Sequence, residues 1–330
     1  MTTIRRLVAY GAATGATLGA VLVAAPAYAG PTSTIDSTGG EIHFVAGDGQ
    51  ANHVLVTELY WPAHTYRFDD VHPIVVSPSA CTYPDPSDST MVDCVEATTI
   101  TVSTGDLDDV IDVRPAVSWR LDAGEGGDTI RTGAGPGLPG NRTDGGPGDD
   151  TIVSGPGSEH ISGGPGIDTV SYVGRWTAVT ASVSGGGGSA GETDTYDGIE
   201  NVVGGAGADA LTGDGAPNLL DGGYAATPCL PYLFRAEVAE MLAAPAAPRT
   251  DREPVLTPCL ITSGDDMLDG GDGADLLFGR GGDDTLVGGP GYDTVDGGPG
   301  TGDFCHDGAD GADGEVKVDC ELPGLVKPTS

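Results

Sequence analysis

Aspartate recurs at a fixed interval near the end of the chain. Cut into nines from Ile261, the text reads ITSGDDMLD, GGDGADLLF, GRGGDDTLV and GGPGYDTVD, then GGPGTGDFC with Asp303 one residue late. The sixth positions are Asp266, Asp275, Asp284 and Asp293. The eighth are aliphatic: Leu268, Leu277, Leu286 and Val295. The first, second and fourth positions are mostly glycine. Carboxylates set among glycines at regular spacing can chelate a hard cation. Ca²⁺ takes roughly six to eight oxygens in flexible geometry, from carboxylates and backbone carbonyls alike.

Such residues need a scaffold that brings one repeat over another. Glycine lets the backbone turn through positive φ. The x-U-x triplet after each Asp fits a short strand whose middle side chain points inward, because strand side chains alternate. Two nonapeptides make a coil of roughly 18 residues, so repeats n and n+2 stack. This pairs Asp266 with Asp284, Asp275 with Asp293, and Asp284 with Asp303. A disordered Gly/Asp linker would have no reason to keep an aliphatic residue at every eighth position.

The pattern also appears earlier. TGDLDDVID from Thr104 carries Asp109 and Ile111 weakly in phase, and AGEGGDTIR from Ala123 carries Asp128 and Ile130. Residues 132–144 read as an irregular loop. GGPGDDTIV, SGPGSEHIS and GGPGIDTVS then run from Gly145 to Ser171, with Asp150, Glu159 and Asp168 at the sixth positions. Asp150 and Asp168 stand two repeats apart and could share a cation, whereas Glu159 is a degraded position. From Gly204, GGAGADALT holds Asp209, and in GDGAPNLLD Asn218 replaces the carboxylate, which implies a weaker site. The candidate ligands are Asp128, Asp150, Asp168, Asp209, Asp266, Asp275, Asp284, Asp293 and Asp303, and the candidate ion is Ca²⁺.

Composition agrees. The 330 residues include 56 Gly, 49 acidic and 14 basic residues, for a net charge of −35. Nucleic acid and anionic membrane would be repelled; a cation would be attracted. Aromatic residues make up only 5%, which suits a narrow column of aliphatics better than a broad core.

The N-terminus reads as a signal peptide over 1–29. Arg5 and Arg6 precede an apolar run ending near Ala25, and Ala27-Tyr28-Ala29 forms an A-x-A cleavage site. No membrane span is expected after cleavage. Six cysteines in an exported chain suggest disulfides. The connectivity is open from sequence; the sequence-local set is Cys81–Cys94, Cys229–Cys259 and Cys305–Cys320.

The expected organisation follows. Residues 30–122 form a β-rich N-terminal cap. Residues 123–223 hold the first repeat block, with a connecting unit at 172–203 that includes a strand pair. Residues 224–262 form an insertion closed by a disulfide, whose RAEVAEMLAA has a helical apolar period. Residues 263–304 hold the second block, and 305–330 a two-cysteine cap.

Catalytic motifs are scarce. The text has no H-E-x-x-H and no phosphate-cradling loop. Gly187-Gly188-Ser189-Ala190-Gly191 matches G-x-S-x-G, but a nucleophile elbow needs a strand before the serine and a helix after it, and glycines and acidic residues flank it instead. The six histidines show no metal-ligand spacing, and His160, at a seventh position, should face solvent.

Taken together, the nonapeptides, the segment DTVSYVGRWTAVTASVS…DGIENVVGGAGADALTG and the ending GDFCHDGADGADGEVKVDCE resemble the secreted hemolysin-type (RTX-like) calcium-binding repeat proteins. The resemblance implies an all-β, right-handed parallel β-roll or β-helix solenoid with a β-rich N-terminal cap and one short helical insertion. It implies calcium as cofactor and extracellular location. The resemblance does not fix a role, because the family uses the roll in toxins, proteases, lipases, adhesins and surface layers. With no catalytic motif in the text, the expectation is a non-enzymatic surface, adhesion-type or structural role, with cell-surface or extracellular-matrix components as partners. The other reading is a ligand-binding or hydrolytic N-terminal domain carried on the roll as a folding module. The N-terminal signal departs from family members exported by type I secretion and implies the general export pathway.

Overall fold

The computed structural model of the protein describes residues 32–59, 64–77, 81–95, 97–133, 140–224, 264–306 and 316–320. Among these the structure is all-β, with no helix. The strands form a large sheet of 13 strands and two smaller ones of eight and six.

Repeat chemistry dictates the strands. Thr151–Val153, His160–Ser162 and Thr169–Ser171 are three residues each, and each buries its middle residue. Glycine-rich loops stop them from growing longer. Consecutive strands alternate between sheets: Thr151–Val153 and Thr169–Ser171 pair in parallel in the large sheet, while His160–Ser162 pairs in the eight-stranded sheet. The register advances by one coil, Ile152 against Val170, and in the second block Leu268 against Leu286 and Leu277 against Val295. Two nonapeptides therefore make one coil, as the spacing predicts.

The core is a set of registered columns. In the large sheet Val54, Ile111, Ile130, Ile152, Val170 and Val202 are each fully buried and stand strand over strand. The six-stranded sheet stacks Ala181, Leu211, Leu268, Leu286 and Cys305. Near the N-terminus the strands lengthen. Thr99–Asp106 and Ser118–Glu125 have eight residues each and point more side chains inward. Trp119, Phe44 and Phe68 fill the wider space there, the two Phe rings stacked with centroids 6.3 Å apart.

The cap region is β-rich and continuous with the roll. Ser33–Thr38 and Glu41–Val45 pair antiparallel, and the latter pairs in parallel with Thr99–Asp106. His53–Leu59, Thr65–Asp69 and Met91–Val95 form an antiparallel extension of the large sheet. Cys81 lies directly opposite Cys94 and is bonded to it. At the other end Cys305, at an inward position of Phe304–His306, is bonded to Cys320, just beyond Val316–Val318 of the large sheet. That bond ties the last strands of two sheets together. The helix and the Cys229–Cys259 bond expected within 224–262 lie outside the described residues. The register is intact on either side: Leu219 pairs with Leu276 and Asp221 with Phe278.

One expectation is corrected. Residues 132–144 are not all loop: Arg142–Asp144 is a strand paired with Ser118–Glu125 and His160–Ser162. Its inward residue is Thr143, fully buried, so the aliphatic signal that marks other strands is missing. In the connecting unit, Val179–Ser182 pairs antiparallel with Gly186–Ser189, so the second strand of the expected pair is the polyglycine stretch itself. Ser189 ends that strand and a turn follows, so no nucleophile elbow forms.

Candidate metal centre

Each coil has two edges. At the first, the chain turns into the large sheet; at the second, it turns into one of the smaller sheets. The loop before a strand uses glycine at the second and fourth positions, as in Gly146 (φ 103°) and Gly148 (φ 149°). A side chain is strained in that region of backbone space. Leu107 and Arg280 occupy the same two kinds of position with positive φ and are not glycine.

The sixth residue follows the loop and turns inward. Asp128, Asp150, Asp168, Asp275 and Asp284 are all at most 1% exposed. Their two carboxylate oxygens do different things. Oδ1 accepts the amide of the sixth residue one coil earlier: Asp109 N–H to Asp128 at 2.7 Å, Asp128 to Asp150 at 2.8 Å, Asp150 to Asp168 at 2.8 Å, and Asp275 to Asp293 at 3.0 Å. At the second edge the same ladder joins Asp209 to Asp266 at 2.7 Å, Asp266 to Asp284 at 2.7 Å, and Asp284 to Asp303 at 2.9 Å. The other oxygen, Oδ2, is buried without a hydrogen-bond partner in Asp109, Asp128, Asp150, Asp168, Asp275 and Asp284.

Those orphaned oxygens share their space with carbonyls. A Cβ added at Gly145 would collide with Asp150 Oδ2 and stand 2.8 Å from the carbonyl oxygen of Gly163. A Cβ at Gly270 would be 2.5 Å from Asp275 Oδ2 and 2.6 Å from Gly288 O; at Gly279 it would meet Asp284 Oδ2 and Gly297 O. The first-position glycine leaves a recess where a carboxylate oxygen and a carbonyl from the next coil converge. Among the described residues no three His, Cys, Asp or Glu side chains gather in a metal-binding group. A site of this kind instead draws on backbone oxygens, which suit Ca²⁺ and do not suit zinc. The residues present fit a calcium ion. Asp150, Asp168, Asp275 and Asp284 would hold it through Oδ2, together with loop carbonyls. The ion would supply the positive charge that these buried oxygens lack.

The electrostatics agree. Burial, offset by the amide hydrogen bonds and reinforced by neighbouring carboxylates, pushes Asp128, Asp168, Asp275 and Asp284 up to about 6 and Asp150 to about 7. Without a cation these groups hold protons that an ordinary aspartate would have lost.

The structure brings the expected residues together as paired: Asp266 with Asp284, Asp275 with Asp293, Asp284 with Asp303 and Asp150 with Asp168. Asp209 differs. Its Oδ1 accepts Val179 N–H at 2.8 Å and its Oδ2 accepts Gly205 N–H at 2.6 Å, so both oxygens are used. Asn218 is satisfied too: Oδ1 accepts Asp214 N–H and Nδ2 donates to Glu200 O, each at 2.8 Å.

Sequence reasoning missed other sixth-position residues. Asp168 donates its amide to Glu200 Oε2 at 2.8 Å, Glu159 to Asp194 Oδ1 at 2.9 Å, and Asn52 to Asp109 Oδ1 at 2.6 Å. Each precedes a strand with a buried or half-buried middle residue: Glu200 before Asn201–Val203, Asp194 before Thr195–Asp197, Asn52 before His53–Leu59. Reading E-N-V-V, D-T-Y-D and N-H-V-L as repeat endings would have found them. His160 lies on the outer face, with Nδ1 2.8 Å from Thr195 Oγ1.

Stacked x-U-x strands with carboxylate ladders at both edges define a cation-binding repeat protein. The profile of the RTX calcium-binding nonapeptide repeat (4 copies) matches residues 141–170 and 261–300. The chain therefore carries hemolysin-type calcium-binding repeats, and RTX nonapeptide repeats bind Ca²⁺. Proteins with such repeats are typically extracellular or secreted. No curated protein matches the chain.

Proposed function

We propose that the protein is exported through its 1–29 signal and completes its folding when it meets extracellular calcium, as a non-enzymatic β-roll with a surface, adhesion-type or structural role. The coils wind right-handed in this reading. One observation carries it: buried carboxylates whose Oδ2 has no partner and which line, with loop carbonyls of the next coil, the recess left by the first-position glycine. Such a group is costly to bury unless a cation joins it. A site that does not exist in the unfolded chain turns binding energy into folding energy. Extracellular calcium modules bind at about 10⁻⁴–10⁻³ M, so calcium would be bound outside the cell and not inside it.

The test is circular dichroism of residues 30–330, disulfides intact, titrated with Ca²⁺ and separately with Mg²⁺. A cooperative gain of β signal with calcium alone is expected. A spectrum already fully β in EGTA, and unmoved by calcium, would overturn calcium-coupled folding.

A further inference from the structure

The second edge changes character along the chain. From Asp209 to Asp303 its sixth positions are aspartates joined by the amide ladder. N-terminal to Asp209 they are Asn141, Glu159 and Asp194. Between the two stretches lies Arg175, whose side chain is 11% exposed. Its Nη2 donates to the carbonyl oxygens of Gly155 and, at 3.5 Å, Ser154. Its Nη1 donates to both carboxylate oxygens of Glu192, at 2.8 and 3.0 Å. Ser154 and Gly155 open the repeat SGPGSEHIS, so the guanidinium grips loop carbonyls. Glu192 in turn accepts the amides of Gly157 at 3.2 Å and Ser189 at 3.0 Å. One cation thus gathers carbonyl and carboxylate oxygens from two successive turns of chain, while lying 5.7 Å from the centre of the Tyr172 ring.

We propose that Arg175 is a resident cation that does, beside Glu159 and Asp194 of the second edge, what calcium does in the coils beyond. This rests on the calcium reading of those later coils. The chemistry is that of a hard-cation cage, carbonyls plus a carboxylate, filled by a tethered guanidinium. Arg suits the role because its planar fork meets a carboxylate at two points and is more weakly hydrated than an ammonium. A divalent ion placed beside it would be repelled. A chelator strips calcium but cannot strip a side chain. The second edge is therefore calcium-independent around Ser154–Ser162 and Glu192–Asp197 and calcium-dependent from Asp266 onward.

The experiment is amide hydrogen exchange on residues 30–330, wild type and Arg175→Gln, in EGTA and in millimolar calcium. In wild type the amides of His160 and Thr195, bonded to Asn141 O and Glu159 O, should stay protected in EGTA. Those of Thr285 and Phe304, bonded to Asp266 O and Asp284 O, should exchange. Arg175→Gln should lose protection at His160 and Thr195 in EGTA by roughly tenfold or more. Should Arg175→Gln fail to fold, Glu192→Gln removes the other half of the pair and is expected to show the same loss. Unchanged protection at His160 and Thr195 in the variant that folds overturns the proposal. Protection of Thr285 and Phe304 in EGTA would sink the calcium reading instead, and is read at different amides.

Discussion

The backbone amide of Asp266 donates to Oδ1 of Asp284 at 2.7 Å, one coil away, and the amide of Asp284 does the same to Asp303 at 2.9 Å. The carboxylate that would hold a calcium ion is therefore also a rung of the scaffold. One oxygen is spent on structure, and the other faces the recess at Gly279. Substitutions at this residue can separate the two roles.

Asp284→Asn keeps an acceptor for the Asp266 amide and removes the charge; Asp284→Ala removes both. In EGTA, Asp284→Ala should be destabilised by about 1–3 kcal/mol, because a buried N–H is left unpaired, while Asp284→Asn should melt close to wild type. Both should lose calcium-induced stabilisation. Thermal melts with and without calcium give all four values, and equal melting of the two variants in EGTA would show that the ladder bond contributes nothing.

The recess can be closed without touching a ligand. A Cβ at Gly279 would collide with Asp284 Oδ2 and stand 2.7 Å from Gly297 O, whereas a Cβ at Gly215 meets nothing within 4 Å. Neither glycine has positive φ, so backbone strain does not confuse the comparison. Gly279→Ala should weaken calcium binding by about tenfold or more, an overpacking cost of roughly 1–3 kcal/mol; Gly215→Ala should be neutral. Isothermal titration of both variants checks this.

Acid should stabilise the calcium-free fold. Asp128, Asp168, Asp275 and Asp284 are raised to about 6 and Asp150 to about 7 in the folded chain. A raised folded value means the folded state holds more protons than the unfolded one between roughly pH 4 and 7. The stabilisation is complete below the unfolded value and is lost as pH rises through the folded one. In EGTA the melting temperature should fall from pH 4 to pH 7. Calcium must displace those protons, so its affinity should rise over the same window. Melts and titrations at pH 5, 6 and 7 report both trends, and a calcium affinity independent of pH would contradict the assignment of these groups as ligands.

The column at the second block was legible because its period is rigid: Asp at six, aliphatic at eight, glycine between. The same geometry was hidden wherever one of those signals lapsed. Thr143 is fully buried at an inward position, yet its hydroxyl reads as polar and its strand as loop. Tyr196 takes the inward position beyond Asp194, in register with Ile161, but an aromatic in an acidic segment breaks the pattern by eye. Asp209 and Asp266 are bonded neighbours separated by 57 residues of sequence, and only the three-dimensional register places them together. Arg175 carries no repeat signature, because a guanidinium in a loop is recognised by the oxygens around it.

Asn218 shows how a lapse in the pattern can be a fitted part. The amide in place of aspartate suggests a weakened calcium site. In the structure its Oδ1 accepts Asp214 N–H and its Nδ2 donates to the carbonyl of Glu200, each at 2.8 Å, while its own amide donates to Asp275 Oδ1 at 2.9 Å. Asn218→Asp is nearly isosteric and restores the repeat, but it replaces the donor with an oxygen facing the Glu200 carbonyl. In EGTA the variant should lose about 1–3 kcal/mol, the cost of an unpaired buried carbonyl against a carboxylate. In calcium those two oxygens become potential ligands, so the loss should shrink as calcium rises toward millimolar. Melting curves of Asn218→Asp across a calcium series test this. A loss that calcium does not reduce would mean that the coil at Asn218 is closed to the ion, and that Asn218 is a structural hydrogen-bonding residue alone.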